Sequence, residues 1–410
     1  MGAKSKTKTH RNHPADALAK LFAAWQPSPT AEDISVADAA GRVLAQDAVA
    51  ILDVPSASAS MMDGVAVHSV VFEQGMPDTS SWELGVDYVR ANTGVAFDDG
   101  FDAVIPIEDV DLSDGKLRFI KAVTPKPGDL IRMPGTTMKS GRMLAGAGKL
   151  LSSTDVAMLA MGGLVSVKVL SKPRVAFIPT GSELVPFGQT PAVGQAVDCN
   201  SLTARLLLEE YGAEPHVCNP LPEDQTKIRA ALEAAVAAND IVLVNGGTSK
   251  GSADVTKDVL ESCGKLTSSW MNSGPGRPVG AGVVDGTCVV AVPGPPLGMI
   301  NVMEYFVSSV IDHWYGIQTH RHTVTATLTE DVRFPADMMM LVNAELSYEN
   351  GRVLARPFFF KKDSVAALAS QGYFYSPIGT ELQEAGTQVE VALFGKRQQS
   401  LTPYPFSESI

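Results

Sequence analysis

Three short runs of consecutive apolar residues constrain the fold of this chain more than any other feature of its sequence. The runs are Val175–Ile178, Ile241–Val244 and Cys288–Val292. They do not alternate between apolar and polar residues, as a strand with one solvent-exposed face would. Continuous apolar runs of this length are typical of strands that are buried on both faces of a parallel sheet. The three runs therefore predict the central strands of such a sheet.

Helical periodicity appears between these strands and after the last one. Apolar residues recur three and four positions apart in Ser201–Tyr211, Thr226–Ala238 and Ile300–Trp314. Asn200 or Ser201 is expected to cap the first of these helices, because both side chains accept hydrogen bonds from helical N–H groups. The alternation of strands and helices predicts a doubly wound α/β domain over residues 173–318.

The chain before this domain is predicted to form two further domains. An N-terminal linking domain of helix and strand combines residues 14–54 with residues 146–172. It begins with an amphipathic helix at Pro14–Trp25 and has a second, short helix around Asp38–Arg42. Between its two parts, turn residues multiply and the apolar runs shorten, which predicts a β-rich insertion over residues 55–145.

The C-terminal part returns to an alternating pattern. Residues 319–397 predict a small all-β domain, a barrel or a sandwich, and Asn350–Gly351 is a strong hairpin signal within it. Residues 1–13 and 398–410 are expected to be a disordered leader and a tail. The chain is therefore expected to be an α/β multidomain protein.

Charge and hydropathy exclude several classes of protein. The 410 residues include 33 Lys and Arg against 45 Asp and Glu, which gives a net charge of −12. An acidic chain of this kind is not expected to bind nucleic acid or a membrane surface, although a small anionic ligand stays possible in a locally positive pocket. The sequence has no window of 18 uninterrupted apolar residues, so no membrane-spanning helix is predicted. No apolar stretch follows the basic leader, so no signal peptide is predicted. A cytoplasmic location is expected.

Polar loops follow all three predicted strands, at the edge where open parallel sheets bind ligands. The loop after the first strand contains Thr180, Gly181, Ser182 and Glu183. The loop after the second contains Gly246, Gly247, Ser249, Lys250, Gly251 and Asp254. The loop after the third contains Pro293 and Gly294. Three unusual loops at one edge predict a single binding site.

The second loop has the composition of an anion site. Its glycines, hydroxyl groups and lysine precede a predicted helix, so that backbone N–H groups are available to an anion. It is not a Walker loop, because Ser252 follows Gly251 where that motif requires lysine. Glu183 and Asp254 suit a divalent metal that bridges the protein and a phosphate. The alternative interpretation is ordinary turns, with these two carboxylates as charges at helix N-termini.

A further polar cluster lies in the β-rich insertion. Asp63 and Gly64 stand between two methionines and a predicted strand, and Thr93–Gly94 and Glu108 follow later. By itself, the Asp63–Gly64 segment is more typical of a turn than of a site, and Thr93–Gly94 and Glu108 are similarly ambiguous.

Taken in chain order, seven segments resemble motifs of the molybdopterin molybdenumtransferase family, which includes the E domain of gephyrin. The resemblance covers about residues 14–397. The matching segments are 40–45, 62–67, 93–94, 102–108, 180–184, 197–200 and 246–254. Each segment is a weak signal alone, but seven in the right order and spacing are specific.

The resemblance implies the molybdenum cofactor-binding fold and a homodimer with its active site at the subunit interface. It implies that the loops hold adenylylated molybdopterin, a small anionic pterin. The implied reaction is hydrolysis of the adenylyl pyrophosphate bond, with release of AMP, coupled to the insertion of molybdate and assisted by Mg²⁺. Other molybdenum cofactor enzymes are implied as further partners.

The resemblance also implies roles for single residues. Glu183 and Asp254 would be the metal and phosphate carboxylates, and Asp63 and Thr93 would come from the facing subunit as further catalytic residues. The remaining loop residues would bind the substrate: Thr180, Gly181, Ser182, Gly246, Gly247, Gly251, Pro293 and Gly294, with Ser249, Lys250 and Arg277 holding its oxyanions.

Two alternatives to an active transferase stay open. Six residues differ from the family's motifs: Ser58, Ala59, Thr136, Thr137, Gly274 and Pro295. These differences favour a diverged, non-catalytic paralogue that binds or carries the pterin or its metal-loaded form. A scaffold protein, like gephyrin in its clustering role, is the second alternative, and no partner motif favours it. The sequence does not distinguish molybdenum from tungsten, or one acceptor enzyme from another.

Overall fold

An N-terminal helix, α1 (Pro14–Ala24), opens the described part of the chain and confirms the helix predicted there. Its first amide groups are capped by His13, whose Nδ1 accepts from the Ala15 N–H at 3.1 Å. The structure is a computed structural model, and it describes residues 13–246, 258, 261–262, 264–269, 271–275, 280–358, 364–395 and 398–399. The chain divides into two compact units: residues 32–169 form one, and the residues before and after them form the other.

The unit of residues 32–169 is built mainly from short β-strands. Its strands and one helix are β1 (Ala31–Ser35), β2 (Ala48–Val49), β3 (Ala59–Ser60), β4 (Gly64–Val67), β5 (Tyr88–Ala91), β6 (Ala103–Pro106), β7 (Val110–Asp111), β8 (Arg118–Phe119), β9 (Ile131–Arg132), β10 (Met143–Ala145), α2 (Ser153–Met161) and β11 (Ser166–Leu170). The strands pair as β5-β4-β6 and as the two-stranded sheets β1-β11, β10-β2, β3-β9 and β7-β8. The β-rich character predicted for residues 55–145 of this unit is confirmed.

Two local features of this unit differ from the sequence predictions. A 3₁₀ turn, Val36–Asp38, replaces the short helix predicted around Asp38–Arg42, because Gly41 adopts a φ of 78°, which a helix does not accommodate. Asp63–Gly64 is not a simple turn, since Gly64 is the first residue of the central strand β4. A Cβ atom at Gly64 would lie 2.0 Å from the Ile105 carbonyl oxygen, so the pairing of β4 with β6 requires glycine.

The other unit contains the predicted doubly wound domain and the small β domain. Its first elements are β12 (Arg174–Pro179), β13 (Leu184–Val185), β14 (Ala196–Val197), α3 (Cys199–Glu210), β15 (Glu214–Val217), α4 (Gln225–Ala238), β16 (Ile241–Asn245), β17 (Lys265–Ser269), β18 (Ser273–Gly274), β19 (Gly280–Val284), β20 (Thr287–Val292), α5 (Pro296–Val302), a π-helical turn (Met303–Val307) and α6 (Ser308–Tyr315). The six-stranded sheet has the order β15-β12-β16-β20-β19-β17.

The core of this sheet forms where the sequence predicts it. Strands β15, β12, β16 and β20 are parallel, and β19 and β17 continue the sheet as antiparallel strands. Ile178, Val242 and Val289 pack against Ile228 and Leu232 of α4, and all five side chains are essentially inaccessible to solvent. The three apolar runs are therefore confirmed as central strands.

Two helices of this domain begin earlier than their periodicity indicates. The N-cap of α3 is Asp198, which accepts from the Ser201 N–H at 3.0 Å, and not Asn200 or Ser201 as predicted. The helix predicted from Ile300 already begins at Pro296, because proline suits the first turn of a helix, where its missing N–H is not needed.

The C-terminal domain is a closed barrel. Its elements are β21 (Thr319–His320), β22 (Thr323–Leu328), β23 (Val332–Arg333), β24 (Met339–Glu349), β25 (Arg352–Phe358), α7 (Ser364–Leu368), β26 (Gly372–Tyr375), β27 (Leu382–Gln383), β28 (Gln388–Leu393) and β29 (Gln398–Gln399). Five strands pair in the order β24-β25-β22-β28-β26, and β26 pairs again with β24. Asn350 and Gly351, with φ of 49° and 78°, turn β24 into β25, so the predicted hairpin is confirmed.

Within the described ranges, the structure has no helix that is both long and apolar enough to cross a membrane.

Candidate functional site

The ends of three parallel strands lie level at one edge of the sheet, which we call the carboxyl edge. Pro179 of β12 is in register with Asn245 of β16, and Asn245 is in register with Val292 of β20. The three polar loops therefore leave the sheet side by side, as predicted from the sequence. Edges of this kind are the usual ligand sites of open α/β sheets.

Two buried asparagines, Asn200 and Asn245, tie the loops together, and we call them the asparagine pair. Asn245 is 1% exposed, and its Nδ2 donates to the Pro293 carbonyl oxygen at 2.6 Å. Its Oδ1 accepts from Asn200 Nδ2 at 3.0 Å, and Asn200 Nδ2 also donates to the Gly294 carbonyl oxygen at 2.6 Å. The loop after β20 is thus held to β16 and to α3 through side chains alone.

Thr180 and Gly246 join the first two loops through close backbone contact. The Thr180 N–H and hydroxyl donate to the Asn245 carbonyl oxygen at 2.8 and 2.9 Å. Gly246 has a φ of 111°, and a Cβ atom there would lie 2.5 Å from Thr180 Oγ1 and 2.6 Å from the Thr180 carbonyl oxygen. Gly294 approaches from the third loop, since its Cβ would lie 3.5 Å from the Gly246 Cα. Only glycine fits at position 246.

Backbone amide groups at this edge divide into two sets. The amides of Thr180, Gly181 and Gly246 donate to the carbonyl oxygens of Asn245, Leu221 and Val292, and so serve the loops themselves. The amides of Ser182 and Gly294 donate to no residue in the described ranges. Those two N–H groups are among the backbone donors of the described residues that remain for an anion at this edge.

Glu183 lies exposed on the first loop, and its carboxylate folds back against Gly181. The Glu183 carboxylate oxygens are 2.8 and 2.9 Å from the position that a Gly181 Cβ would take. The residue is followed by the strand β13 and not by a helix, so it is not a charge at a helix N-terminus. Its side chain accepts no hydrogen bond from the described residues. The neighbouring Ser182 hydroxyl oxygen accepts from the Glu223 N–H at 3.2 Å.

Several predicted site residues lie outside the described residues. They are Gly247, Ser249, Lys250, Gly251, Asp254 and Arg277. Two residues before Arg277, the Pro275 carbonyl oxygen accepts from Asn301 Nδ2 of α5 at 3.3 Å. In the part of the chain that the structure describes, no group of three or more His, Cys, Asp or Glu side chains forms a metal site.

Asp63 and Thr93 form a pair of their own in the unit of residues 32–169. Asp63 Oδ1 accepts from the Thr93 N–H at 2.7 Å and from the Thr93 hydroxyl at 3.0 Å. These two hydrogen bonds, of which that from the backbone has the larger effect, lower the pKa of the exposed Asp63 carboxyl. Charge-assisted bonds favour the ionised form, so Asp63 is an anion with one carboxylate oxygen committed to Thr93.

The sequence reasoning did not single out the asparagine pair as part of the site. Asn245 is the first polar residue after a buried apolar run, and this position is a signal, because a buried amide at the end of such a strand must find partners. Asn200 ends the motif segment 197–200, but it was predicted only as a helix cap. Its contact partners lie 45 and 94 positions away in the sequence.

Comparisons with known proteins agree with this architecture. Two family profiles match the chain: the MoeA N-terminal region, domains I and II, over residues 13–163, and a probable molybdopterin binding domain over residues 176–313. The chain is similar to the molybdopterin molybdenumtransferase of Haemophilus influenzae, with 32% identity over 299 residues that cover 70% of this chain and 73% of that protein.

Longer matches extend the similarity to nearly the whole chain. The molybdopterin molybdenumtransferase of Bacillus subtilis is 27% identical over 416 residues, which cover 96% of each protein. A crystal structure of a molybdopterin biosynthesis MoeA protein from Pyrococcus horikoshii has a TM-score of 0.76 and 26% identity, and the match covers 94% of this chain and 99% of that chain.

Proposed function

Because the chain belongs to the molybdopterin molybdenumtransferase family, we propose that it inserts molybdenum, supplied as molybdate, into adenylylated molybdopterin and releases AMP by hydrolysis. The family membership supports a role in molybdenum cofactor biosynthesis as a transferase acting on molybdopterin. The single observation that carries the proposal is the asparagine pair, which holds the third loop to β16 and α3 at the carboxyl edge.

Under this proposal the carboxyl edge binds the phosphate groups of the substrate. The unused amides of Ser182 and Gly294 donate to phosphate oxygens, and Ser249, Lys250 and Arg277 supply further donors and positive charge. Thr180, Gly181 and Gly246 give the loops the close packing that lets a ligand approach the backbone. Gly247, Gly251 and Pro293 are the further substrate-binding residues that we propose. In the hydrolysis, a water oxygen bonds to one phosphorus atom of the pyrophosphate and the bridging P–O bond breaks, which leaves AMP and the molybdopterin phosphate.

The carboxylates at this edge fit Mg²⁺ in its common binding mode. Magnesium usually keeps several waters and takes one or two carboxylates together with substrate phosphates, so it needs no protein cage. Glu183 provides an exposed carboxylate with no competing hydrogen bond, and Asp254 is the second ligand that we propose. Bound there, Mg²⁺ would neutralise charge on the phosphate oxygens. The Glu183 carboxylate lies against Gly181, and this contact keeps it at the carboxyl edge.

A homodimer is part of the proposal. Asp63 and Thr93 would come to the carboxyl edge from the partner copy, where the Asp63 carboxylate would orient a hydrogen-bond donor of the substrate or of the attacking water. The hydrogen bonds from Thr93 support this role, because they fix one carboxylate oxygen and leave the other for a ligand.

A second candidate function, binding or carrying the pterin without turnover, is favoured by one contact. A Cβ atom at Gly274 would lie 2.7 Å from Met340 Sδ, so Met340 occupies the space that a longer side chain at position 274 would need. The family resemblance would place a lysine there. A lost cation near the substrate would reduce turnover more than binding, because backbone contacts to the ligand remain.

The experiment that tests the proposal is AMP release from adenylylated molybdopterin by the purified protein with Mg²⁺, with molybdate added or withheld. Molybdate-dependent release is the expected result. Tight binding without release would support the carrier function instead. In that case Thr137→Asp, which restores a carboxylate of the family pattern, should raise activity only if its absence limits turnover.

A further inference from the structure

The carboxylate of Glu304 is fully buried inside the unit that holds the doubly wound domain and the barrel. Its side chain is 0% exposed, and the side chain of its ion-pair partner Arg321 is 2% exposed. Neither residue touches the carboxyl edge, and neither has a part in the proposed reaction described so far. A buried ion pair is often no more stabilising than apolar residues of the same volume, so stability alone does not account for it.

Four donor atoms from three parts of this unit converge on Glu304. Arg321 donates from Nη2 and Nε at 2.5 and 3.0 Å. The Tyr211 hydroxyl, at the end of α3, donates at 2.9 Å, and the Tyr373 hydroxyl of barrel strand β26 donates at 3.1 Å. Arg321 in turn reaches Glu210 of α3 through Nη1. A carboxylate with two acceptor oxygens suits this arrangement, whereas an amide would place a donor against the guanidinium.

Glu304 lies in the π-helical turn Met303–Val307, between α5 and α6. A π turn changes which residues face each neighbour, and such turns recur at functional sites. The Ser308 hydroxyl donates to the Glu304 carbonyl oxygen at 2.5 Å, and the Ser309 hydroxyl donates to the Tyr305 carbonyl oxygen at 3.0 Å. The wider turn is therefore stabilised by side chains of the next turn as well as by the Glu304 carboxylate.

The same helical segment holds the chain that leads to Arg277. Asn301 Nδ2 donates to the Pro275 carbonyl oxygen at 3.3 Å, and the Tyr305 hydroxyl forms a hydrogen bond with Ser273 Oγ. Asn301 and Tyr305 are four positions apart, which brings both side chains to one helix face. The Tyr305 contact depends on the rotation of the helix at the π turn, because Tyr305 lies within the turn, directly after Glu304, whereas Asn301 lies in α5 just before it.

We propose that Glu304 is a positioning residue that fixes the π turn against α3 and the barrel, and thereby fixes the Ser273–Pro275 segment, two residues before the proposed oxyanion-binding residue Arg277 in the sequence. The inference rests on the proposed function for the role of Arg277. The packing of Ser273–Pro275 against the helix does not depend on it. Loss of the carboxylate frees the turn to rotate and weakens the Tyr305 contact with Ser273, so that the segment is held mainly by its pairing with β24.

Glu304→Gln tests this role, with Glu345→Gln as the matched control. Glu345 forms an exposed ion pair with Arg356 in the barrel, so the control removes a carboxylate from the same unit without touching the π turn. Hydrogen exchange is measured on the ligand-free protein. We expect the Ser273 and Gly274 amides to exchange at least tenfold faster in Glu304→Gln, while β12 and β16 amides and the control stay unchanged.

Tyr305→Phe is the second variant, because it removes the link to Ser273 and leaves the Glu304 ion pair in place. It should also speed exchange at Ser273 and Gly274. In assays of AMP release, both variants should raise KM for adenylylated molybdopterin about tenfold and change kcat less than threefold. The reason is that Arg277 is proposed to bind the substrate already in the ground state.

Two results would overturn the inference. The first is that the amides of β12 and β16 exchange faster in Glu304→Gln to the same degree as those of Ser273 and Gly274. The second is that the Ser273 amide exchanges at the wild-type rate in Tyr305→Phe. Failure of the proposed function has a different signature. If the proposed function is wrong, the wild type releases no AMP. The faster amide exchange at Ser273 and Gly274 still occurs in the two variants and supports the positioning role of Glu304.

Discussion

Asn200 and Asn245 share a hydrogen bond of 3.0 Å beneath the loops of the carboxyl edge, although one begins a helix and the other ends a strand. Each side chain also holds a carbonyl oxygen of the third loop, at Gly294 and Pro293. All four groups are therefore fixed within the protein itself. A site that is arranged in advance in this way spends less of its binding free energy on ordering loops.

Replacing Asn245 with alanine should both destabilise the fold and loosen the site. The change leaves the Pro293 carbonyl oxygen and one N–H of the Asn200 amide without their partners, while the other Asn200 N–H keeps its bond to Gly294. Each buried unsatisfied group costs about 1–3 kcal/mol of unfolding free energy. Urea denaturation measures the stability, and the rate of AMP release measures the site. We expect the release rate to fall at least tenfold under conditions in which the variant is fully folded.

Asn239→Ala is the matched control for that variant. Asn239 is also buried, and it bonds the Ala235 carbonyl oxygen and His216, away from the carboxyl edge. It should lose a comparable amount of stability while AMP release changes less than twofold. Equal losses of activity in the two variants would show that the asparagine pair acts through stability alone.

Gly246→Ala should weaken ligand binding more than the addition of one methyl group suggests. The new Cβ would lie 2.5 Å from Thr180 Oγ1, against a backbone that is itself bonded to Asn245. The first and second loops must then separate. We expect affinity for adenylylated molybdopterin, measured by calorimetry, to fall at least tenfold.

Gly188→Ala isolates the contribution of the backbone conformation. Gly188 also has a positive φ, 93°, but a Cβ there meets nothing within 4 Å. It should lose about 1–2 kcal/mol of stability, as expected for a non-glycine residue in a left-handed conformation, and keep its affinity. If Gly188→Ala weakened binding as much as Gly246→Ala, the close contact with Thr180 would not explain the result.

Glu183→Gln should change the magnesium requirement without changing stability. Glu183 is exposed and accepts no hydrogen bond from the described residues, so the unfolding free energy should stay within about 0.5 kcal/mol of the wild type. A neutral amide is a weaker ligand for Mg²⁺ than a carboxylate. In a titration of AMP release, we expect the half-saturating Mg²⁺ concentration to rise at least tenfold.

Glu223→Gln tests whether that effect is specific. The Glu223 backbone contacts Ser182, so the residue lies close to the same loop and carries the same charge. Its neutralisation should leave the Mg²⁺ titration unchanged. An equal shift in both variants would assign the effect to the local electrostatic potential and not to a metal ligand.

The strands of the doubly wound domain were predictable, because a buried parallel strand leaves a continuous apolar run that few other structures require. The level ends of β12, β16 and β20 followed from this arrangement. The π turn at Met303–Val307 was not predictable, since its apolar spacing fits an ordinary helix and the partners of Glu304 within it lie in α3 and the barrel. Asn200 was missed for the same reason, because its partners are distant in sequence.

The Asp63–Thr93 pair predicts a specific pH dependence. Hydrogen bonds from Thr93 lower the folded-state pKa of Asp63, so their contribution to stability is present above the ordinary carboxyl pKa of about 3.9 and is lost as the pH falls through the lowered value. Thr93→Val removes the hydroxyl donor and keeps the backbone donor, so the Asp63 pKa should rise part of the way. A carboxyl-carbon NMR titration measures it. Asp111, whose pKa is lowered chiefly by the Ser113 N–H, serves as the internal control and should not move. An unchanged Asp63 pKa would mean that the backbone bond alone holds the carboxylate.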